Sequence, residues 1–247
     1  MNYLQNKTAI ITGASSGLGA ASARALSAKG VRIIAAALDQ QGLDAIVSEL
    51  KASGGEAVGL VSDVTQPDDM KALAQFAHDT FGSIDILINN AGLMLFSNWV
   101  DLAVDDWEKM VNVNIKGYLN GIASVLPFML KQKSGQILNM DSVAGHQVGP
   151  AAGIYSATKF FVQAMTESMR KELGVHHGIR VNTISPGVIN TGWAEKETDP
   201  PGRKAAHELN KIAISPDDIG RAVVYALNQP ENVTVNDLII SPTRQDW

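Results

Sequence analysis

Tyr155 and Lys159 stand four residues apart in the stretch YSATK, inside a run that reads as helix. Residues i and i+4 share a helical face, so a phenol and an ammonium would lie side by side. A free tyrosine ionises near pH ~10, and an adjacent positive charge favours the phenolate. The pair could therefore exchange protons near neutrality, or be an ordinary solvated surface pair. Ser142 precedes Tyr155 by 13 residues. Its hydroxyl could hold a substrate oxygen and steady the charge that develops on it, or simply cap a turn.

A second constellation is TGASSGLG, Thr12 to Gly19. It follows an apolar run and opens a helical one. Gly13, Gly17 and Gly19 would permit a tight turn and close approach of backbone to a pyrophosphate, which would then sit at a helix N-terminus. The spacing is G-x-x-x-G-x-G rather than G-x-G-x-x-G, so the generic dinucleotide fingerprint does not strictly apply. The same letters contain G-x-S-x-G, the nucleophile elbow of a serine hydrolase, with Ser15 as nucleophile. That alternative lacks its other parts. The five histidines (78, 146, 176, 177 and 207) form no acid–histidine arrangement after a late strand, and no H-G-G-G stretch supplies an oxyanion loop.

These residues need a scaffold. Short β-rich runs alternate with helical patterns. Strands are expected at 8–13, 31–37, within EAVGLVSDV, at 84–92, and in GQILNMDS, IRVNTISPG and DLIISP. Helices are expected at 17–29, 40–52, from Pro67 to about 80, 104–131 with a kink or early stop at Pro127, 153–173, and 216–227. Residues 188–212 fit no clean period. Strands alternating with helices imply βαβ units and a parallel sheet with right-handed crossovers. No internal repeat or linker interrupts the 247 residues, so a single α/β domain is expected.

Composition narrows the function. The net charge of −5 offers no basic face for nucleic acid. Without cysteine there is no disulfide, thiolate nucleophile or cysteine metal site, and no metal is expected. No apolar run approaches the ~18 residues of a membrane span, and the N-terminus lacks the order of a signal peptide. A soluble cytoplasmic protein is the expectation.

Taken together, the motifs resemble one family, the classical short-chain dehydrogenases/reductases, and the resemblance spans nearly the whole chain. TGASSGLG is similar to its cofactor loop, NNAG (89–92) to its fourth-strand motif, and SPGVINT (185–191) to its nicotinamide-side motif. Asn114 matches its structural and proton-relay asparagine, and Ser142, Tyr155 and Lys159 its catalytic set. The resemblance implies a Rossmann-like, doubly wound sheet of about seven strands ordered 3-2-1-4-5-6-7, with helices on both faces. Gly13, Asn89, Ser142 and Pro186 would gather at the carboxyl ends of its strands. It implies an oxidoreductase that moves hydride between a nicotinamide cofactor and a carbonyl or secondary alcohol. In that reading Tyr155 is the general acid/base, Lys159 also reaches the nicotinamide ribose, and Asn114 links Lys159 through water to solvent. An incomplete Ser–Tyr–Lys set would have favoured a non-catalytic dinucleotide-binding regulator, and the set is complete.

The cofactor residues implied are Gly13, Ser15, Ser16, Gly17, Leu18, Gly19, Leu38, Asp39, Asp63, Val64, Asn90, Ala91, Gly92, Tyr155, Lys159, Pro186, Gly187, Val188 and Thr191. Asp63 would hold the adenine amino group beside Val64, or cap a turn; Val188 N–H and the Thr191 hydroxyl would bind the carboxamide. Asp39 favours NAD(H) over NADP(H), because a carboxylate suits a ribose diol and repels a 2′-phosphate; NADP(H) stays possible, since Asp39 could instead be a helix N-cap. The sequence departs from the family at Asp141, where a serine is usual. Met94, Leu95, His146, Val148 and Trp193 are candidate substrate-pocket residues, joined by Ser142 and Tyr155. Residues 192–212, rich in charge and containing Pro200–Pro201–Gly202, could form a substrate lid over about 188–212. Helices 104–131 and 153–173 would pair subunits into a homodimer or homotetramer, with Trp247 at another contact.

Overall fold

The computed structural model of the chain describes residues 1–196 and 200–246. Trp247 lies outside them. Seven parallel strands form one sheet: β1 (Thr8–Thr12), β2 (Arg32–Ala37), β3 (Ala57–Val61), β4 (Ile86–Asn89), β5 (Gly135–Met140), β6 (Ile179–Pro186) and β7 (Asp237–Ile240). Their order is β3-β2-β1-β4-β5-β6-β7, the order implied by the resemblance. The winding reverses between β1 and β4, which opens a crevice at the carboxyl ends of those strands.

The helices are α1 (Gly17–Ser27), α2 (Gln40–Ala52), α3 (Pro67–Phe81), α4 (Val104–Met110), α5 (Gly117–Gln132), α6 (Gly153–Met169), α7 (Val175–His177), α8 (Pro200–Asn210) and α9 (Pro216–Leu227). Alternation along the strands divides the core into two layers. Ala9, Ile11, Ile33, Ala35, Ile86 and Ile88 face one side and pack with Leu26 of α1, Leu43 and Ile46 of α2, and Ile219 and Val223 of α9. Ile10, Ile34 and Leu87 face the other and pack with Leu73 of α3 and Val125 and Met129 of α5. Each fully buried aliphatic side chain contributes about 1.5–3 kcal/mol, so both faces hold the sheet from which the site projects. Gly220 lets α9 approach α1 closely: a Cβ there would stand 2.9 Å from the Ala21 carbonyl oxygen.

Two expectations for the longer helices are corrected. The 104–131 segment is divided by a π-helical stretch, Val111–Lys116, that carries Asn114. Pro127 does not end the helix, which runs to Gln132. Pro127 and Ala123 are both exposed, so the carbonyl that proline leaves unbonded four residues back can turn to water. The 153–173 segment likewise ends in a π stretch, Arg170–Gly174. In 188–212, where no period was legible, a short 3-10 turn (Trp193–Lys196) precedes α8.

Candidate active site

The glycine loop leaves β1 with Gly13 at φ +65° and Gly17 at φ +53°, values that favour glycine. Gly19 sits beneath the turn, where a Cβ would collide with the Gly13 carbonyl. Asn90 locks the loop to the end of β4. Its side-chain amide donates to the carbonyls of Thr12 (2.8 Å) and Gly13 (3.3 Å), and its backbone N–H donates to Thr12 Oγ1 (3.0 Å). Asn89, expected at the same place, turns inward instead and donates to Asn139 Oδ1 (2.9 Å) within the core.

The loop forms one wall of a cleft of about 490 Å³. Of the expected cofactor residues, all line it except Gly19, which is behind the turn, and Val188, which lines the adjoining cavity. Asp39 is the first residue before α2 and exposed, and its side chain makes no capping bond to the helix. It lies against the loop: a Cβ on Gly42 would run into the Asp39 carboxylate and stand 2.8 Å from Ser15 Cβ. The Asp63 carboxylate accepts from Thr65 N–H and Thr65 Oγ1, both at 2.8 Å, so it closes a turn as well as lining the cleft. Val188 N–H, assigned by the resemblance to a carboxamide, here donates to Gln245 Oε1 (3.0 Å). Among the described residues no histidine lines the cleft, so Ser15 has no base beside it as a hydrolase would need.

A second cavity, about 610 Å³, adjoins the first. Met94, Ser142, Tyr155, Gly187 and Trp193 line both. Molecules filling the two spaces would therefore meet at Ser142 and Tyr155. Val148 lines this cavity as expected, and Leu95 lines the cleft. His146 points away: its Nε2 is 2.9 Å from Ser185 Oγ, among polar groups behind the site. Phe96, Asn98, Gln147 and Leu209 also line the cavity, and the sequence analysis missed them. Phe96 meets Trp193 edge-to-face at 5.9 Å. Its place two residues after Met94 was the one available signal, because alternate residues of an extended segment share a face.

The Ser142 hydroxyl begins the turn Val143–Gly145 and accepts from Ala144 N–H (3.1 Å). Lys159 is buried, and its ammonium donates to the Met140 carbonyl at 2.7 Å. The same oxygen accepts from the Tyr118 hydroxyl at 2.6 Å. Asn114 pins the Leu93 backbone, accepting from its N–H and donating to its carbonyl, both at 2.8 Å, and donates to Thr158 Oγ1 (3.1 Å).

Burial is the largest influence on both Tyr155 and Lys159. Burial pushes the Tyr155 phenol up to about 12; the hydrogen bond with Ser142 opposes this and the Asp141 carboxylate adds to it. Tyr155 is partly open to the cavity, which moderates the effect of burial. The Lys159 nitrogen is 5.8 Å from the Tyr155 ring centre and donates elsewhere. The ammonium thus lies beside the ring but is held by the Met140 carbonyl. Burial also brings Lys159 down to about 8, opposed by Asp141.

The residues fit a dinucleotide. The cleft has a glycine cradle that a side chain at Gly13 would fill, a Cβ there standing 2.9 Å from Asn90 Nδ2, and backbone N–H groups at the start of α1 for anionic oxygens.

Comparison with known proteins agrees with this architecture. The family model for short chain dehydrogenase matches residues 7–201. An uncharacterized oxidoreductase of Staphylococcus saprophyticus is 43% identical over 247 residues, covering 99% of each chain. The closed form of serine dehydrogenase complexed with NADP+ superposes with TM-score 0.89 at 29% identity, over 97% of this chain and 96% of that one. A short chain dehydrogenase/reductase from Burkholderia phymatum in complex with NAD gives TM-score 0.88 at 26% identity, over 98% and 91%. With its parallel sheet, its glycine cradle and these likenesses, the chain belongs to the classical short-chain dehydrogenase/reductase family and is an oxidoreductase.

Proposed function

We propose that this oxidoreductase transfers hydride between a nicotinamide cofactor, NAD(H) by preference, and a moderately apolar ketone or secondary alcohol. The observation that carries the reading is the shared wall of the two cavities, where Ser142 and Tyr155 are accessible from both. The bound cofactor supplies or accepts the hydride; the rest falls to this chain's side chains. In the reducing direction Ser142 holds the carbonyl oxygen, and Tyr155 donates the proton that oxygen needs. A phenol held protonated by burial and by Asp141 suits that donation. Lys159 supports Tyr155 from behind, and Asn114 fixes the backbone at Leu93 that borders the site.

Preference for NAD(H) rests on Asp39. A carboxylate beside Ser15 accepts hydrogen bonds from a ribose diol and repels a 2′-phosphate. Among the described residues lining the cleft, Lys159 alone is basic, and it lies on the β5 side, away from Asp39. The largely apolar second cavity suits a substrate without phosphate. We read the chain as a single catalytic domain, cytoplasmic, with 188–212 as a lid over the substrate; Trp193 and Leu209 of that segment face the cavity. Subunit pairing through α5 and α6 is supported by Leu119, Leu130 and Phe160, which are 44%, 38% and 43% exposed. A mass in solution equal to one chain at micromolar concentration would remove the pairing.

The test of function is a panel of ketones and secondary alcohols followed at the NADH absorbance band. Tyr155→Phe should bind NADH like the parent yet lose ~10²–10⁴-fold in turnover. Parental turnover by that variant would end the proposal.

A further inference from the structure

Asp141 is the position where the chain departs from its family's usual serine. Its side chain is completely buried. One oxygen, Oδ1, has no hydrogen-bond partner. The other, Oδ2, accepts from Gln163 Nε2 at 2.5 Å and from Ser185 Oγ at 3.4 Å. His146 Nε2 lies 3.8 Å from that oxygen and 3.6 Å from Asp237 Oδ2. Asp237 Oδ1 in turn accepts from Thr183 Oγ1 (2.8 Å) and Ser185 Oγ (3.1 Å). The side chains of His146 and Asp237 are 29% and 33% exposed. A chain of polar groups thus runs from the buried carboxylate to solvent. Gly145 keeps the turn tight against it, since a Cβ there would collide with the carboxylate.

On its other side Asp141 adjoins the reacting groups. The residue before it, Met140, offers its carbonyl to Lys159 and to Tyr118. The titratable groups facing Asp141 are Lys159 and Tyr155 from α6, Tyr118 from α5, His146 from the following loop and Asp237 from β7, with the neutral Gln163 and Ser185 between them. Lys159 and protonated His146 favour its ionised form and Asp237 opposes it.

Resting on the reading that Tyr155 exchanges the proton, we propose that Asp141 is a positioning residue acting through Lys159 and Tyr155. Its buried carboxylate is the counter-charge to the buried Lys159 ammonium and opposes phenolate formation at Tyr155, and His146 connects it to Asp237 and solvent. A buried ammonium needs such a counter-charge. Among the described residues Lys159 makes no direct ion pair, and Asp141 is the carboxylate whose charge reaches it. The same charge raises the barrier to removing the Tyr155 proton. Asp141 therefore sets the pH at which the site changes from proton donor to proton acceptor.

The test has two arms. In alcohol oxidation kcat/KM rises with pH as Tyr155 loses its proton, so Asp141→Asn should move that limb to lower pH by about half to one unit. At a fixed pH on the limb the rate, relative to the variant's own plateau, should rise about three- to tenfold. Asp141→Ser should move it the same way. The second arm does not use activity. In protein labelled with carboxyl-13C aspartate, the signal missing from Asp141→Asn identifies Asp141. Its titration midpoint should rise in Lys159→Met and in His146→Gln, because each removes an attracting charge. A limb that stays in place or moves upward in Asp141→Asn and Asp141→Ser overturns the proposal. So does an Asp141 midpoint unchanged by Lys159→Met. Failure of the underlying reading would look different: Tyr155→Phe would turn over like the parent while the Asp141–Lys159 coupling persisted in the spectra.

Discussion

Asp141→Asn should make this protein more stable, and only where Asp141 would be ionised. Burial is the largest influence on that carboxyl and raises it from 3.8 to about 6, against the pull of Lys159, Gln163 and His146. A carboxyl held above its unfolded value favours the folded state while protonated. That contribution is complete below about 3.8 and is lost as pH rises through about 6. The difference corresponds to about 3 kcal/mol. It is already net of the attraction to Lys159, because that attraction is contained in the folded value. Asparagine keeps the size and removes the charge. Equilibrium urea unfolding should therefore show Asp141→Asn more stable than the parent by about 3 kcal/mol near pH 8, but by only about 1 kcal/mol near pH 4.5. Thermal midpoints should differ by about 2–4 °C for each kcal/mol. The altered hydrogen bonding to Gln163 is common to both pH values and cancels in the comparison. A change of equal size at both pH values, or a loss of stability that grows with pH, would refute the reasoning.

Gly19→Ala should weaken NADH binding and lower stability by about 1–3 kcal/mol, as an overpacked position does, because its Cβ meets backbone at Gly13 rather than a yielding side chain; fluorescence titration and urea unfolding measure the two effects. Replacing Leu38 and Asp39 with arginines should reverse the cofactor ratio of kcat/KM toward NADPH, since a guanidinium grips a phosphate by two hydrogen bonds. Asp39→Ala should shift that ratio toward NADPH by about tenfold, the equivalent of ~1.4 kcal/mol. An unchanged ratio would return Asp39 to a purely structural part.

The sheet was legible because its signal is local. Runs such as TAIIT and ILIN alternate two buried faces, and each strand declares itself within a few residues. The glycine loop and the Y-x-x-x-K spacing were legible for the same reason. The strand order came from family likeness, since hydrophobic period says nothing about which strand lies beside which. What stayed hidden depends on partners distant in sequence. Nothing near His146 indicates that its ring turns toward Ser185 on β6 and Asp237 on β7, away from the substrate cavity. The spacing of Tyr155 and Lys159 was read correctly as a shared helical face. It could not reveal that the Met140 carbonyl takes the ammonium, or that burial governs the phenol. Leu209 reaches the cavity from α8, a helix whose charged sequence gave no periodic signal.

The widened stretch Val111–Lys116 has a consequence for how this chain tolerates change in length. A π turn holds one residue more than the α-helical ladder requires. The loss of one residue from 111–116 could therefore be absorbed by an unbroken α-helix, and the backbone would fold without apparent damage. The residues on either side of the deletion would keep their phase, and only the widened turn that carries Asn114 would close. Met110 would stay in its buried place, while Asn114 would lose the widened backbone that sets it against Leu93 and Thr158. A deletion that a stability screen scores as harmless would thus leave the segment after β4 unanchored at Leu93.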